Sequence, residues 1–467
     1  MEELSSSVQR RWTIRALWLL GCALVLLFAV KETAERRRGA ANISQERTRF
    51  INESAAREDE LNHAPRGPSV VEPETPAQSV ARRLSQFGAQ RRTITYDLAA
   101  KYGVTIDPEV AEFYAAIEAN DWHGITNKFT SIWKRKDSDD PAAAGLRQLA
   151  APMLETFGAA EQVHDWPPEK LLEYGHAILD SLKPGMVYIG GTDSGRFIPT
   201  LLNDTEPDSE RHIVITQNAL ADRGYAEYFQ HLYGDQIAGL DQGDSDKAFQ
   251  TYIDDARKRF EHDRDFPNDP KQVRKGEDIK IVDGKTQVSG QVAVMDINER
   301  LLNRFIEKNP NFTFAMEESF PLNSTYSAAH PLGPIFEINA KEGGDALTAT
   351  SANDAMNYWR KTAREIADDP VSSNSMEALK TYSHMVNAQG NFFANRDYSA
   401  QSEEAYRLAL QLWPGNVEAA TGLSSLLEKN GRADEGKRVL DEFNRVNPRI
   451  GSTYEDNFKV THSGAKK

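Results

Sequence analysis

The stretch MVYIGGTDSGRFIPTLLNDTEPDSERHIVITQNALAD, residues 186–222, decides our prediction of the fold. It begins with Met186–Ile189, whose apolar, β-branched and aromatic residues are typical of a buried strand. A glycine-rich loop follows, and His212–Thr216 has the composition of a second strand. Helical spacing then extends from Ala219 to Tyr233. Strands that alternate with helices in this order predict an α/β domain with a mainly parallel sheet.

Glycines and polar residues follow directly on three predicted strands, of which the third is Phe312–Met316. Ligands of open α/β sheets bind outside the carboxyl ends of the strands, and these ends meet at one edge when the strands are parallel. We therefore predict that these residues share one rim of the sheet. The rim residues are Gly190, Gly191, Asp193, Arg196, Gln217, Asn218 and Glu317.

Two interpretations of this rim remain open. In the first, it binds a sugar, nucleotide or phosphate, and Glu317 and Asp193 are the candidate catalytic residues, with Glu317 as the general base. In the second, the glycines only permit a tight turn and Asp193 caps the following helix. The loop matches neither a Walker loop nor a dinucleotide fingerprint, so the motif does not identify a ligand. The candidate ligand-binding residues are Gly190, Gly191, Arg196, Gln217 and Asn218.

The composition excludes several classes of function. A net charge of −15 argues against a nucleic-acid partner, because phosphate binding needs a basic surface. The single cysteine, Cys22, cannot form a disulfide framework or a cysteine-based metal site. Since no Cys/His cluster, nucleophile elbow or His-Glu-x-x-His motif occurs in the sequence, we predict no metal and no cofactor.

Residues 12–30 form an apolar segment whose single charged residue is Arg15. Its length approaches the roughly 20 residues that a bilayer-spanning helix needs. We predict one transmembrane helix, and with it a lipid bilayer as a partner and a single-pass location in the cell membrane. A cleaved signal peptide is the main alternative, but Val30-Lys31-Glu32 offers no small-residue cleavage site.

Two features of the sequence bear on the side of the membrane on which the body lies. Arg10, Arg11 and Arg15 precede the uncharged run 16–30, and six basic residues follow it between Lys31 and Arg49. By the positive-inside rule this distribution places the body in the cytoplasm. A short amino-terminal segment before a single span is instead the usual layout of a signal anchor with an exported body. On that ground we place the body outside the cytoplasm. Residues 31–92, which are rich in charged residues, Ala, Ser and Pro, have the composition of a flexible linker.

The rest of the chain divides by composition and periodicity. Asp283-Gly284 between two strand-like runs predicts a β-hairpin, and the alternating run Ile335–Ile338 predicts an edge or half-buried strand. The predicted segments are a helical region at 93–165, the α/β domain at 166–345, a helical domain at 352–450 and a tail at 451–467.

Two prolines in the carboxyl-terminal helical domain, Pro414 and Pro448, lie 34 residues apart, which is the period of the tetratricopeptide repeat. Small and aromatic residues recur with them, so Ser383–Pro448 resembles a degenerate pair of such repeats. The resemblance implies antiparallel helix pairs that present a concave surface to a peptide or partner protein. The matching residues are Gly390, Phe393, Tyr406, Ala409 and Pro414 in the first unit, and Leu423, Leu427, Gly436, Leu440 and Pro448 in the second. The departures are Gln389, Ser402, Ser424 and Phe443.

The central region carries a second resemblance. Residues 190–199, 215–222 and 317–321 are similar to segments of uncharacterised bacterial membrane-anchored proteins that end in tetratricopeptide repeats. The strand-Gly-x-Asp unit also resembles the soluble part of membrane proteins related to protein O-mannosyltransferases. The multi-span region in which such transferases do their chemistry is absent from this sequence, so transferase activity is not implied.

Two functional hypotheses of different classes follow from the sequence. The first is a membrane-anchored interaction or scaffold protein that binds a partner protein or peptide through its repeat-like helices. The second is an enzyme or small-molecule binder that works at the rim of the α/β sheet. The arrangement of the rim residues distinguishes them, because a working site needs an open pocket among these side chains.

Overall fold

A computed structural model of the protein describes residues 73–140, 142–206, 211–274, 276–282, 284–338 and 347–447. The predicted membrane span, most of the predicted linker and the predicted tail lie outside these residues. Among the helices that the structure describes, none combines the length and the apolar character needed to cross a bilayer.

The described residues are mostly helical and include a small mixed sheet of five strands. They divide into two compact units, one containing residues 246–297 and the other residues 75–245 and 298–447. The helices are α1 Pro76–Tyr102, α2 Pro108–Glu118, α3 Trp122–Lys136, α4 Ala143–Gln148, α5 Ala150–Asp165, α6 Pro168–Leu179, α7 Asp193–Thr205, α8 Arg223–Tyr233, α9 Gln242–Asp265, α10 Gln291–Lys308, α11 Ala349–Asp368, α12 Pro370–Ser373, α13 Met376–Asn395, α14 Ser399–Leu412, α15 Val417–Lys429 and α16 Ala433–Val446. The strands are β1 Val187–Gly190, β2 Ile213–Thr216, β3 Asp278–Val282, β4 Lys285–Ser289, β5 Phe314–Met316, β6 Ala329–Leu332 and β7 Ile335–Ile338.

Helix α1 begins inside the segment that we predicted to be linker. A capping box between Thr75 and Gln78 fixes its amino terminus, and Leu84 and Phe87 are buried in the core formed with the helices that follow. The prediction that the linker extends to residue 92 is therefore wrong. The composition was misleading because α1 buries Arg91 as well as apolar residues, and its guanidinium is paired with acidic side chains of α5 and α7.

The strand order in the five-stranded sheet is β2-β1-β5-β7-β6. Strands β2, β1 and β5 are parallel, as we predicted, with Ile189 opposite Ile215 on one side and Met316 on the other. Strand β7 is antiparallel to β5, and β6 is antiparallel to β7. The sheet is thus mixed rather than mainly parallel.

The edge of this sheet differs from the prediction. Strand β7 is buried along its whole length, because β6 pairs with its outer side. The sequence did not predict β6, since His330-Pro331 is more typical of a loop than of a strand. Pro331 is tolerated there because β6 is the last strand of the sheet and one of its sides needs no partner for backbone N–H groups.

Residues 246–297 contain most of α9, the start of α10 and an antiparallel hairpin of β3 and β4. Gly284 in the turn has a φ of 71°, as the predicted two-residue hairpin requires. Within this unit Glu277 accepts hydrogen bonds from Tyr252, at 2.6 Å, and from Arg259. Glu277 is thus a buried carboxylate whose hydrogen bonds connect it to α9.

The carboxyl-terminal helices pack as antiparallel pairs, α13 with α14 and α15 with α16. Glycines allow the close approaches: a Cβ on Gly390 would lie 2.7 Å from the Tyr406 ring, and one on Gly436 would lie 2.8 Å from the Ser424 carbonyl oxygen. Helix α13 also packs against the sheet, with 5.2 Å between the ring centroids of Phe392 and Phe336.

Candidate functional site

The predicted rim residues come together at the carboxyl ends of β2, β1 and β5. Glu317 directly follows β5, and its side chain lies under the loop that follows β1. Its Oε2 accepts hydrogen bonds from the backbone N–H groups of Gly191, at 3.0 Å, and Thr192, at 2.8 Å. Its Oε1 accepts a hydrogen bond from the Thr192 hydroxyl at 2.9 Å. The amide groups at the start of α7 thus bind a carboxylate of the chain itself.

The residues that follow β2 complete this network. Gln217 Oε1 accepts a hydrogen bond from the Ser319 backbone N–H at 3.1 Å. Asn218 Nδ2 donates to the Gly191 carbonyl oxygen at 3.1 Å and to Ser319 Oγ at 3.0 Å. The prediction that the polar groups after these three strands are neighbours is confirmed.

Asp193 and Arg196 lie at the outer side of the rim. Their side chains pair with each other, with 2.8 Å between Arg196 Nη2 and Asp193 Oδ1, and the Asp193 side chain is 57% exposed. The alternative prediction that Asp193 caps the helix is wrong, since α7 begins at Asp193 and Thr192 is its cap. The Thr192 hydroxyl accepts a hydrogen bond from the Gly195 N–H at 2.9 Å, so this threonine links the helix to Glu317.

Thr192 and Ser319 also lie at the rim, but they are not among the residues to which we assigned ligand binding or catalysis. Both are common polar residue types, and only the position of Thr192 directly before a helix would have indicated its role as a cap. Ser319 lies two residues after Glu317, so its contact with Asn218 depends on how β5 is placed beside β1 and β2.

Glycine is required at two positions of the loop because neighbouring atoms lie too close for a side chain, and not because the backbone there has a positive φ. A Cβ on Gly191 would lie 2.4 Å from the Glu317 carbonyl oxygen, and one on Gly195 would lie 2.0 Å from Glu317 Oε2. Neither glycine is among the described residues with positive φ. A side chain at either position therefore cannot fit while the loop remains closed over Glu317.

We expect Gly195→Ala to lower the free energy of unfolding by about 2 kcal/mol or more, because the added methyl group must displace the Glu317 carboxylate. Gly243→Ala, in the first turn of α9, is the control, since Gly243 is exposed and the new Cβ would meet only Asp241 Oδ1 at 3.1 Å. Urea denaturation compares the two variants with the wild type. Equal stability of Gly195→Ala and the wild type would contradict the closed geometry.

Two adjacent buried carboxyl groups dominate the electrostatics of the rim. Burial raises the pKa of Glu317 to about 7, although the hydrogen bonds from Thr192 and Gly191 oppose the increase. Burial likewise raises the pKa of Glu318 to about 8, against the hydrogen bond from the Tyr326 hydroxyl at 2.8 Å. The two side chains have separate partners, as expected for neighbouring residues at a strand end. The shifts make each carboxyl group a weaker acid than usual.

The rim is closed in this structure. Glu317 is 2% exposed and Gln217 is fully buried. Both oxygens of Glu317 and Oε1 of Gln217 accept hydrogen bonds from other rim residues, whereas Gln217 Nε2 and Arg196 Nε are buried without a hydrogen-bond partner. A pocket of about 350 Å³ lies elsewhere in the same unit, and no predicted rim residue contributes to it. Its lining residues are Lys170, Glu173, Thr362, Glu365, Ile366, Asp369, Ser372 and Tyr382.

A second polar surface is formed by α13 and α15, and we call it the α13–α15 face. Asn387 Nδ2 of α13 donates to Glu418 Oε2 of α15 at 3.4 Å, and His384 Nδ1 lies 3.9 Å from the same oxygen. Thr421 and Ser425 continue the face, because they follow Glu418 by three and seven residues along α15. The members of the face are His384, Asn387, Glu418, Thr421 and Ser425.

Comparison of the chain with protein-family models, with curated proteins and with solved structures found no match. Across the residues that the structure describes, no group of three or more His, Cys, Asp and Glu side chains is placed to hold a metal ion. The class of function is therefore inferred from the residues and their geometry.

Proposed function

We propose that this protein is a membrane-anchored interaction protein that binds a peptide segment of a partner protein on its α13–α15 face. One observation carries the proposal: two helical hairpins recur at a spacing of 34 residues, with α14 beginning at Ser399 and α16 at Ala433. This is the period of tetratricopeptide repeats, in which the first helices of successive units line a shared concave surface. In this chain those first helices are α13 and α15.

The contacts between the helices support the same assignment. Gly390 approaches the Tyr406 ring, and Ser402 Oγ donates to the Gly390 carbonyl oxygen at 2.9 Å. Small residues at the crossing points of paired helices are what a repeat of this kind requires. The sheet covers part of α13, which gives a two-unit stack the additional packing surface that it lacks by itself.

The closed rim favours an interaction protein over an enzyme. A general base must reach the proton that it removes, whereas both oxygens of Glu317 accept hydrogen bonds from the loop and the side chain is buried. We infer that Glu317 connects β5 to the start of α7 and serves as a structural carboxylate. Catalysis or small-molecule binding at the rim has less support for this reason.

Selection of short random peptides on the full-length protein in detergent tests the interaction. We expect the selected peptides to lose binding to Ser425→Trp, which places a bulky ring on the α13–α15 face. They should still bind Lys437→Trp, which alters an exposed residue of α16 instead. Failure to select any peptide, or equal binding to both variants, would contradict the proposal.

The membrane anchor is tested separately. We expect removal of residues 1–32 to release the protein from membranes, because the sequence has one strongly apolar segment and this truncation deletes it. The full-length chain, carried through the same fractionation and salt wash, is the control. A truncated protein that still sediments with membranes after the wash would disprove the single-anchor assignment.

A further inference from the structure

We propose that the pocket of about 350 Å³ described above binds a small alkylamine, with an ammonium group at its acidic mouth and the hydrocarbon chain against Ile366 and Tyr382. We call it the α6–α11 pocket, since these two helices supply five of its eight lining residues. The inference goes beyond the proposed function, because this pocket and the α13–α15 face share no residue. The volume lies within the roughly 300–1,000 Å³ of pockets that hold small ligands.

The lining of the α6–α11 pocket carries more negative than positive charge. It contains three carboxylates, Glu173, Glu365 and Asp369, and one ammonium group, that of Lys170, which leaves a net charge of −2. Lys170 already has partners, because its Nζ lies 2.8 Å from Glu173 Oε2 and 3.0 Å from Asp369 Oδ2. An anionic ligand would have to compete with these two carboxylates for Lys170. An ammonium group is instead attracted by the charge that the lysine leaves unneutralised.

Glu365 is the carboxylate of this lining that an ammonium group can pair with most easily. The basic side chain beside it is Lys361, at 3.6 Å, and both side chains are mostly exposed. Such pairs are weak, because water screens the two charges and holding long side chains together costs entropy. Glu365 can therefore exchange this partner for the ammonium group of a ligand in the pocket.

Tyr382 connects the acidic mouth of the pocket to its apolar interior. Burial raises the pKa of the Tyr382 hydroxyl, and the charges of Glu173 and Glu365 raise it further, so both carboxylates act on this oxygen. The hydroxyl has no hydrogen-bond partner among the residues that the structure describes, and its oxygen can accept a bond from a ligand N–H. The Tyr382 ring packs edge-on against Tyr174, at 5.7 Å between centroids, and Ile366 is buried. These two side chains offer apolar surface to a hydrocarbon chain.

The probe for this pocket is 1,5-diaminopentane, whose two ammonium groups match the net charge of the lining and whose chain is apolar. Saturation-transfer NMR of the probe, titrated against the full-length protein in detergent, gives the dissociation constant. We expect saturable binding that weakens as the salt concentration is raised. Pentane-1,5-diol, which has the same chain without the charges, should bind at least ~10-fold more weakly.

A pair of variants assigns the binding to the pocket. Glu365→Gln should weaken binding of the diamine at least ~3-fold, because it removes the carboxylate that receives the ammonium group. Asp354→Asn is the matched control, since it removes an exposed carboxylate of the same helix, α11, outside the pocket, and should leave the affinity unchanged. The comparison corrects for general attraction of a cation to an acidic protein, because both variants change the net charge equally.

Three results would overturn the inference. The diol would bind as tightly as the diamine if the pocket recognised only the chain. Glu365→Gln and Asp354→Asn would bind the diamine equally if the attraction were not specific to the pocket. The third result is a failure of the diamine to saturate the wild-type protein. Peptide binding at the α13–α15 face is measured independently, so it stands or falls separately from all three.

Discussion

The free energy of unfolding is expected to decrease as the pH rises from about 6.5 to about 8, because Glu317 and Glu318 must ionise inside the folded protein. Their pKa values are about 7 and about 8, against 4.5 for an ordinary glutamate. Folding therefore binds protons in this range, and stability falls wherever the folded state holds more protons than the unfolded state. Each pH unit over which the folded state holds one extra proton corresponds to about 1.4 kcal/mol, so Glu318 alone is expected to cost on the order of 5 kcal/mol over the whole interval from pH 4.5 to pH 8, of which about 2 kcal/mol falls between 6.5 and 8.

The sign of the effect follows from the direction of the shifts. Below the unfolded pKa of 4.5 both carboxyl groups are protonated in both states, and their contribution to stability is fully present. It is lost as the pH rises through about 7 for Glu317 and about 8 for Glu318. The lowered pKa of His384 has the opposite effect, but that effect is complete above the ordinary histidine pKa of 6.5. The window from 6.5 to 8 therefore isolates the two glutamates from this histidine.

Urea denaturation at several pH values measures this dependence. Glu318→Gln should remove most of the slope above pH 7, since Glu317 is largely ionised there in both states, and Glu317→Gln should reduce the slope between 6.5 and 7 without abolishing it, because Glu318 still holds its proton in the folded state. Glu428→Gln, which replaces an exposed glutamate of α15, should keep the slope of the wild type. A Glu318→Gln profile parallel to that of the wild type would show that Glu318 is already ionised in the folded protein.

Ala409→Glu is expected to lower the free energy of unfolding by about 3 kcal/mol or more, because it buries an unpaired carboxylate where α14 meets α13. Ala409 is fully buried, and its carbonyl oxygen accepts a hydrogen bond from Ser383 of α13 at 2.8 Å. There is no room for a longer side chain at such a contact.

A thermal melt of this variant has a matched control in the same helix. Ala400 lies in the first turn of α14 and is exposed, so Ala400→Glu adds the same charge at a place where the helix dipole favours it. We expect Ala400→Glu to melt at the wild-type temperature or slightly above it. If Ala409→Glu melts with the wild type, the close pairing of α13 and α14, and with it the repeat assignment, is incorrect.

The sequence by itself was sufficient to predict the helices and strands whose composition or periodicity can be read from the chain. The apolar runs before Gly190, Gln217 and Glu317 identified β1, β2 and β5, and the intervening helices implied that these strands are parallel. The 34-residue recurrence identified the carboxyl-terminal helix pairs. The same patterns placed the glycines and polar groups at one rim, because the ends of adjacent parallel strands must meet.

Tertiary structure decided what those rim residues do. The Glu317 carboxylate accepts hydrogen bonds from a loop that lies 125 residues earlier in the chain. The sequence around Glu317 therefore does not indicate whether this side chain faces solvent or the amide groups of Gly191 and Thr192. The burial that makes Glu317 a weak acid likewise arises from packing between distant segments. Periodicity reports which residues are apolar, whereas burial of a polar group depends on the partners that the completed fold brings to it.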